Sequence, residues 1–458
     1  MRIPHTHAIL IRIMSNPAIT QAISRRHLAA ALVCLSAAIW WLGGSAWRIA
    51  TEGVGVLGVN NNVPWGWDIV LFVFWIGLGH AGTLISAILL LTGKRWRRGL
   101  ARPAEIMTIC AVCTAGIFPL IHVGRAWMLW QIAPIPTASG VWAEGASALL
   151  WDAAAISSYL LLSCIFCAIC IRGERQNQHQ HRTLWAHCCL LLAGILTPLV
   201  ISVHSIVGSD FALTLRWQSV IIPPYFVCGA ILSGMAAVQL IALCKKCRIG
   251  TIGKMATLTA ALSGAMGLFY AYELLTEPQF YNGSYATMLF LNVIIPFTLF
   301  NFRKLRHNRL IVAIVSIGIL IGMWQERVHI IIERSLMQCG GSYAPTNVDL
   351  SMLLGSIALF TALFLLLSSR LPAETIDPLD HLQHPAPHSP YRAAAIGSSL
   401  ALLCSVIWLL CTQWSDTAGT AGSSPQGFTY YIPLCLVLTL LGAGLGVTAN
   451  YLYNTRKP

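Results

Sequence analysis

Nearly every cluster of Lys and Arg in this chain lies between apolar runs, and always on the same alternate side of them. Twelve runs can be read, at about residues 28–47, 68–92, 104–130, 148–171, 184–207, 220–244, 253–275, 285–302, 310–333, 350–369, 393–414 and 429–453. Each is roughly 17–25 residues, enough for a helix rising 1.5 Å per residue to cross a ~30 Å hydrocarbon core. The tails and the even-numbered links hold 24 of the 29 basic residues, Lys94, Arg95, Arg97 and Arg98 among them. The odd-numbered links hold few, chiefly Arg48, Arg216 and Arg334. Basic residues collect in cytoplasmic loops, so both termini are expected in the cytoplasm. A formal net charge of +13 would otherwise suggest nucleic acid. Spread over short loops on one face, it fits a lipid bilayer and argues against a nucleic-acid partner.

Apolar residues make up 56% of the chain and charged residues 10%, too little charge to solvate a soluble protein of this length. No stretch of soluble-domain size is left between the runs. The expectation is an all-α integral membrane protein of about twelve transmembrane helices. The first run follows Arg25 and Arg26 like a signal peptide, but Trp40, Trp41 and Trp47 stand where a small-residue cleavage site belongs, so an uncleaved helix is expected. Cys110/Cys113 and Cys164/Cys167/Cys170 have CxxC-type spacing inside apolar runs, with no His at ligand spacing. They read as small packing residues rather than a metal or redox site.

Charge inside a spanning helix costs a few kcal/mol on insertion scales, so intramembrane ionisable residues are candidate functional positions. His80 lies near the middle of the second run, among Gly77, Gly79, Ala81 and Gly82, which allow close helix approach. It reads equally as a packing histidine. In the third run His122 and Arg125 share a face, and Pro119 before them should kink the helix. Asp152 opens the fourth run, His204 and Asp210 close the fifth, and Glu273 closes the seventh. In the ninth, Glu326, His329 and Glu333 form one stripe while Arg327 points elsewhere. By the charge-derived topology all of these except His80 occupy the periplasmic half, and the cytoplasmic half carries almost none. Acids, histidines and an arginine gathered from five helices imply a shared cavity. They suit an amphipathic molecule that loses protons, such as a quinol, whose hydroxyls must be deprotonated as electrons leave. An ion or solute pathway would use similar residues.

The intramembrane histidines sit singly on the second, third, fifth and ninth runs, unlike the facing pairs that hold haem. Iron–sulfur and Gly-rich phosphate motifs are not found either. The chain is therefore expected to carry no haem or iron–sulfur cluster, and electrons would leave through a partner.

The stretches GVGVLGVNNNVPWGW (53–67), FWIGLGHAGTLISAILLL (74–91), RPAEIMTICAVCTAGIFPLIHVGRAW (102–127), LLWDAAAISSY (149–159), TPLVISVHSIVGSDFA (197–212), PPYFVCGAILSG (223–234), LFLNVIIP (289–296) and GMWQER (322–327) resemble the NrfD/PsrC family of quinone-interacting membrane subunits. Within it they most resemble the ActC group of alternative complex III. They run in family order through most of the chain. The resemblance implies two four-helix bundles, runs 2–5 and 6–9, with flanking helices, in a bacterial inner membrane. It implies oxidation of menaquinol or ubiquinol near the periplasmic face, with His122 and Asp152 as catalytic residues and Arg125, Asp210 and Arg327 as neighbours. It also implies electron transfer to a periplasmic iron–sulfur subunit and c-type cytochrome subunits, beside a homologous NrfD-like membrane subunit. His80, His204, Glu273, Glu326 and His329 are then candidates for a proton path.

On this reading the chain divides into 1–67 (tail, first helix and periplasmic link), 68–207 (first bundle, with the quinol site), 208–333 (second bundle), 334–371 (tenth helix) and 372–458 (a linker and a two-helix hairpin resembling a fused accessory subunit). Gln218 departs from the family's usual His, and EGASALLWD lacks the usual Arg before Trp-Asp. A membrane anchor of a molybdopterin oxidoreductase is the same-class alternative. A proton or solute transporter is the other, although Pro119 and Pro198, on adjacent helices of one bundle, do not match an inverted repeat.

Overall fold

The computed structural model describes residues 17–97, 99–128, 148–174, 179–214 and 221–371. The expected eleventh and twelfth helices and the link before them lie outside these residues. Among the described residues there is no strand, and ten helices are long and apolar enough to cross a membrane. They are α1 (Pro17–Glu52), α2 (Trp67–Leu91), α3 (Ala101–His122), α4 (Ala148–Glu174), α5 (His179–Thr214), α6 (Ile222–Cys244), α7 (Ile249–Thr276), α8 (Gly283–Asn301), α9 (Arg309–Cys339) and α10 (Asn347–Arg370). The chain is a multi-pass membrane protein. Lys94, Arg95 and Arg97 lie between α2 and α3; Lys245, Lys246 and Arg248 between α6 and α7; Arg303, Lys304 and Arg306 between α8 and α9. Alternation of the helices puts all three links at one end, the basic face.

Each helix falls on one expected run, although α1 starts at Pro17 rather than 28, and α5 and α9 continue to Thr214 and Cys339 rather than 207 and 333; the third run needs a correction. The third run was expected to continue to 130, but the helix ends at His122. Two features end it. Pro119 cannot donate to the Ala115 carbonyl, and the helix breaks at Gly116 into Ala101–Ala115 and Ile117–His122. Gly124 then adopts φ 72°, a left-handed conformation that turns the chain away.

Helix α2 is the central element. It packs against α3, α5 and α6, and all but a few of its residues are buried, Ile88 being the exposed one. This explains a run apolar on every side. The small residues around His80 serve two neighbours. A methyl at Gly79 would come within 2.8 Å of Val112 on α3, while one at Gly77 would lie 3.6 Å from Ser233 on α6. Helices in lipid gain little from hydrophobic burial, so close backbone approach and dispersion supply the contact energy. Helix α1 packs on α10 and turns Leu32, Val33, Ile39, Trp40 and Trp47 outward. Helix α10 starts with a capping box in which Thr346 and Asp349 satisfy each other's backbone N–H groups.

Helices α8 and α9 each contain one π-helical turn, Phe290–Ile294 and His329–Glu333. The wider turn redirects the side chains that follow it, and such turns often mark functional segments.

Candidate functional site

Two polar centres lie at the end away from the basic face. The first is built where α2 begins, α3 ends and α10 begins. His122 Nδ1 is 2.6 Å from Asp68 Oδ2. The Asp68 side chain is fully buried and that of His122 is 25% exposed, so the pair has a shielded end and an accessible end. The Trp67 N–H donates to the Tyr343 hydroxyl at 3.3 Å, and that hydroxyl donates to Asp349 Oδ2 at 3.3 Å. Thr346 holds the same oxygen through its N–H at 2.8 Å and its hydroxyl at 3.1 Å. Burial, reinforced by the carboxylate of Asp349, pushes the Tyr343 phenol well above its usual range, so it stays a donor. Asp68 Oδ1 and Asp349 Oδ1 are buried without a hydrogen-bond partner among the described residues.

Asp68 was not among the residues singled out from sequence; it stood at a helix start, where an acid needs no special explanation. Its partner His122 lies 54 positions away, a pairing that no local spacing reveals. Asp152 sits on α4 and is buried. Arg125 is exposed in the turn after α3. Asp210 belongs to α5, and its side chain lies outside the described ones.

The second centre joins α7, α8 and α9. Arg334 pairs with both Glu273 and Glu277, and its guanidinium lies 4.0 Å above the Phe280 ring. Arg327 donates to Glu326 at 2.9 Å and lies 4.8 Å over the Phe226 ring of α6. Glu326 also accepts from the Tyr270 hydroxyl, which in turn accepts from Asn292 at 2.9 Å. Glu333 accepts from His329 at 2.8 Å, Asn282 at 2.9 Å and Ser284 at 2.7 Å. The expected stripe on α9 is therefore split. Glu326 turns to Tyr270, and His329 turns to Glu333 across the π-helical turn. Arg327, expected to point away, is paired with Glu326. Gly229 on α6 makes room for this pair, since a Cβ there would meet Arg327 Nη2 at 3.1 Å and Glu326 Oε1 at 3.2 Å.

Between these centres and the basic face, His80 and His204 meet edge to face with ring centroids 4.7 Å apart. His80 lies 5.0 Å from the Tyr159 ring, whose hydroxyl donates to the Gly79 carbonyl at 3.1 Å. The half nearest the basic face is not nearly free of polar groups, which corrects the sequence-based expectation. Glu105 is buried there, accepting from Ser86 at 2.7 Å and Arg102 at 2.9 Å. Gln239 donates to Thr259 at 2.6 Å and accepts from Ser316 at 2.8 Å. Glu105 was missed although it lies at the start of the third run, because its partners Ser86 and Arg102 give no signal of a buried pair. An open apolar groove of about 730 Å³ between α1 and α10 is lined by Trp40, Trp41 and Trp47. It contains none of the acid–base residues.

The ten long apolar helices, with an acid-backed histidine at one end and buried ion pairs within, define a multi-pass helical membrane protein. More specifically, residues 55–337, over half of the chain, match the polysulphide reductase NrfD family, and the chain belongs to that family. It is 23% identical over 253 residues to a putative membrane subunit of a dimethyl sulfoxide reductase from Halobacterium salinarum, covering 51% of this chain and 55% of that protein. It is 22% identical over 208 residues to an Hdr-like menaquinol oxidoreductase integral membrane subunit of Archaeoglobus fulgidus, covering 45% and 48%. The chain thus spans about half the length of these relatives.

Proposed function

We propose that this chain is the quinol-oxidising membrane subunit of a multi-subunit respiratory oxidoreductase of the alternative complex III (ActC) kind. In this reading it sits in a bacterial inner membrane with the basic face and both termini in the cytoplasm. Menaquinol or ubiquinol binds in the periplasmic half and gives up two electrons and two protons. The electrons pass to a periplasmic iron–sulfur subunit and on to c-type cytochrome subunits, with a second NrfD-like subunit alongside. The quinol site belongs to the 68–207 bundle, the second bundle is 208–333, and 372–458 serves as a fused accessory hairpin.

The observation that carries this reading is the His122–Asp68 pair. A carboxylate on Nδ1 orients the ring and stabilises its cation, which leaves Nε2 to take a proton from a quinol hydroxyl. His122 and Asp152 act as proton acceptors, with Arg125, Asp210 and Arg327 as neighbours. The name of the Archaeoglobus relative, a menaquinol oxidoreductase subunit, supports the substrate. The buried groups from Glu105 and Ser86 through Tyr159, His80 and His204 to Arg327 and Glu326 support a part in proton translocation, ending at His329 and Glu273.

The test is turnover of the native complex. Asp152→Asn should assemble normally and lower quinol oxidation by ~10²-fold, the size expected for loss of a positioned base. Wild-type turnover in that variant removes Asp152 from the mechanism. A second reading, the membrane anchor of a molybdopterin oxidoreductase, is favoured by the dimethyl sulfoxide reductase name of the Halobacterium relative. Identifying the subunits that copurify with the chain separates the two readings.

A further inference from the structure

The quinol reading leaves open where a proton goes after it reaches His122. The residues behind that histidine lie close to one another. Asp68 takes the Nδ1 side at 2.6 Å. A Cβ placed on Gly66 would lie 3.4 Å from Asp68 Oδ1 and 3.2 Å from the Tyr343 hydroxyl, so those two oxygens flank one backbone position. Tyr343 then reaches Asp349 at 3.3 Å. Tyr343 belongs to the α9–α10 link, whose Ala344 and Pro345 are exposed. The link is pinned to the 53–67 loop, with Asn60 donating to the Ser342 carbonyl at 3.2 Å. The set therefore begins at a partly exposed histidine, passes two fully buried carboxylates and ends in a surface loop.

We propose that Asp68, Tyr343 and Asp349 form the release route for quinol protons, with Asp68 as the positioning residue that receives the charge taken up by His122. The inference rests on the proposed quinol oxidation. In each one-electron step a quinol O–H bond breaks, its proton goes to His122 Nε2, and the electron goes to the iron–sulfur partner. The Nδ1 proton moves to Asp68 Oδ2, which restores a neutral ring. From Asp68 the proton reaches the Tyr343 hydroxyl, whose own O–H proton passes to Asp349 and then to water beside the link. Two such steps convert quinol to quinone and release two protons. The geometry suits this role because both carboxylates keep one buried oxygen without a hydrogen-bond partner among the described residues. Each can therefore accept a proton without breaking an existing bond. Asp68 is faced by His122 from α3 and by Tyr343 from the link; Asp349 is faced by Tyr343 and Thr346.

The test uses the native complex in membranes, with menadiol as donor and an artificial one-electron acceptor. Asp68→Asn should lower kcat by roughly 10- to 100-fold with KM held, the range for loss of one proton-transfer group. The acid limb of its pH–rate profile should move, and Asp68→Glu should recover most of the rate. Asp349→Asn and Tyr343→Phe should show smaller losses of kcat at unchanged KM, and they decide the matter if Asp68→Asn does not assemble. The route is overturned if these variants keep the wild-type kcat and pH profile while His122→Gln is inactive, or if they change KM alone. Wild-type turnover in both His122→Gln and Asp152→Asn would instead sink the quinol site itself.

Discussion

Replacing Arg334 with methionine tests whether the second polar centre is held by charge balance. Arg334 is 1% exposed and Glu273 is 3% exposed. The arginine also pairs with Glu277 and covers the Phe280 ring at 4.0 Å. Removing one partner of a buried pair leaves the other charge uncompensated and costs ~3–5 kcal/mol. The lost cation–π contact adds ~1–2 kcal/mol in a desolvated site. Methionine preserves most of the volume, so little of the loss comes from a cavity. The assay is denaturant unfolding of the detergent-solubilised protein, followed by helix content, on a double-mutant cycle. Glu273→Gln removes the stranded charge, so the double variant should recover ~2–3 kcal/mol relative to additivity, the upper part of the range for contacting residues. A coupling below ~0.5 kcal/mol, or a single-variant cost near zero, would refute the idea that the ion pair holds α7 to α9.

Two further outcomes are expected. Gly229→Leu should cost ~1–3 kcal/mol by overpacking and push Arg327 off Glu326, because a Cβ there already meets Met323, Arg327 and Glu326 within 3.2 Å; unfolding measurements on the Gly229→Ala and Gly229→Leu pair check this. Reporter fusions at residues 97 and 247, in two basic links, should both report cytoplasm and a fusion at 140 the periplasm, and a split result between 97 and 247 breaks the alternation.

The helices were legible because lipid imposes two strong conditions at once, an apolar length and a side for the basic loops. Both act on composition, which a single sequence carries in full. The glycines around His80 were also readable, since close approach needs small residues whatever the partner. The pairings were not readable. Asp68 and His122 lie on different helices, and only the fold places the end of α3 beside the start of α2. Tyr270 and Asn292 looked like ordinary residues of apolar runs, yet they complete the Glu326 site. The π-helical turns in α8 and α9 leave no period in the sequence, so the stripe assigned to Glu326, His329 and Glu333 assumed a helix more regular than the one that forms. The role of Tyr343 was not legible, because its bond to Asp349 depends on the capping turn of α10.

The buried charges differ in how they are compensated, and that difference separates structure from chemistry. Arg102 faces Glu105, and Arg327 faces Glu326, one cation to one anion. Arg334 is shared by Glu273 and Glu277, the latter only partly buried. In such pairs each group satisfies its neighbour, and they fix helix positions at little net gain in stability. The centre at α2, α3 and α10 is built otherwise. Asp68 and Asp349 are fully buried, and among the described residues no lysine or arginine is hydrogen-bonded to either. The group able to neutralise Asp68 is His122, an imidazole that can take up a proton. The hydrogen-bond partners of these two buried carboxylates are an imidazole, a phenol and a threonine, none of them a fixed cation. These partners can exchange protons, which a fixed cation cannot. On the proposed function, a quinol undergoing oxidation would find its proton acceptors there, while the ion-paired centre on α7 to α9 holds the second half of the fold in place.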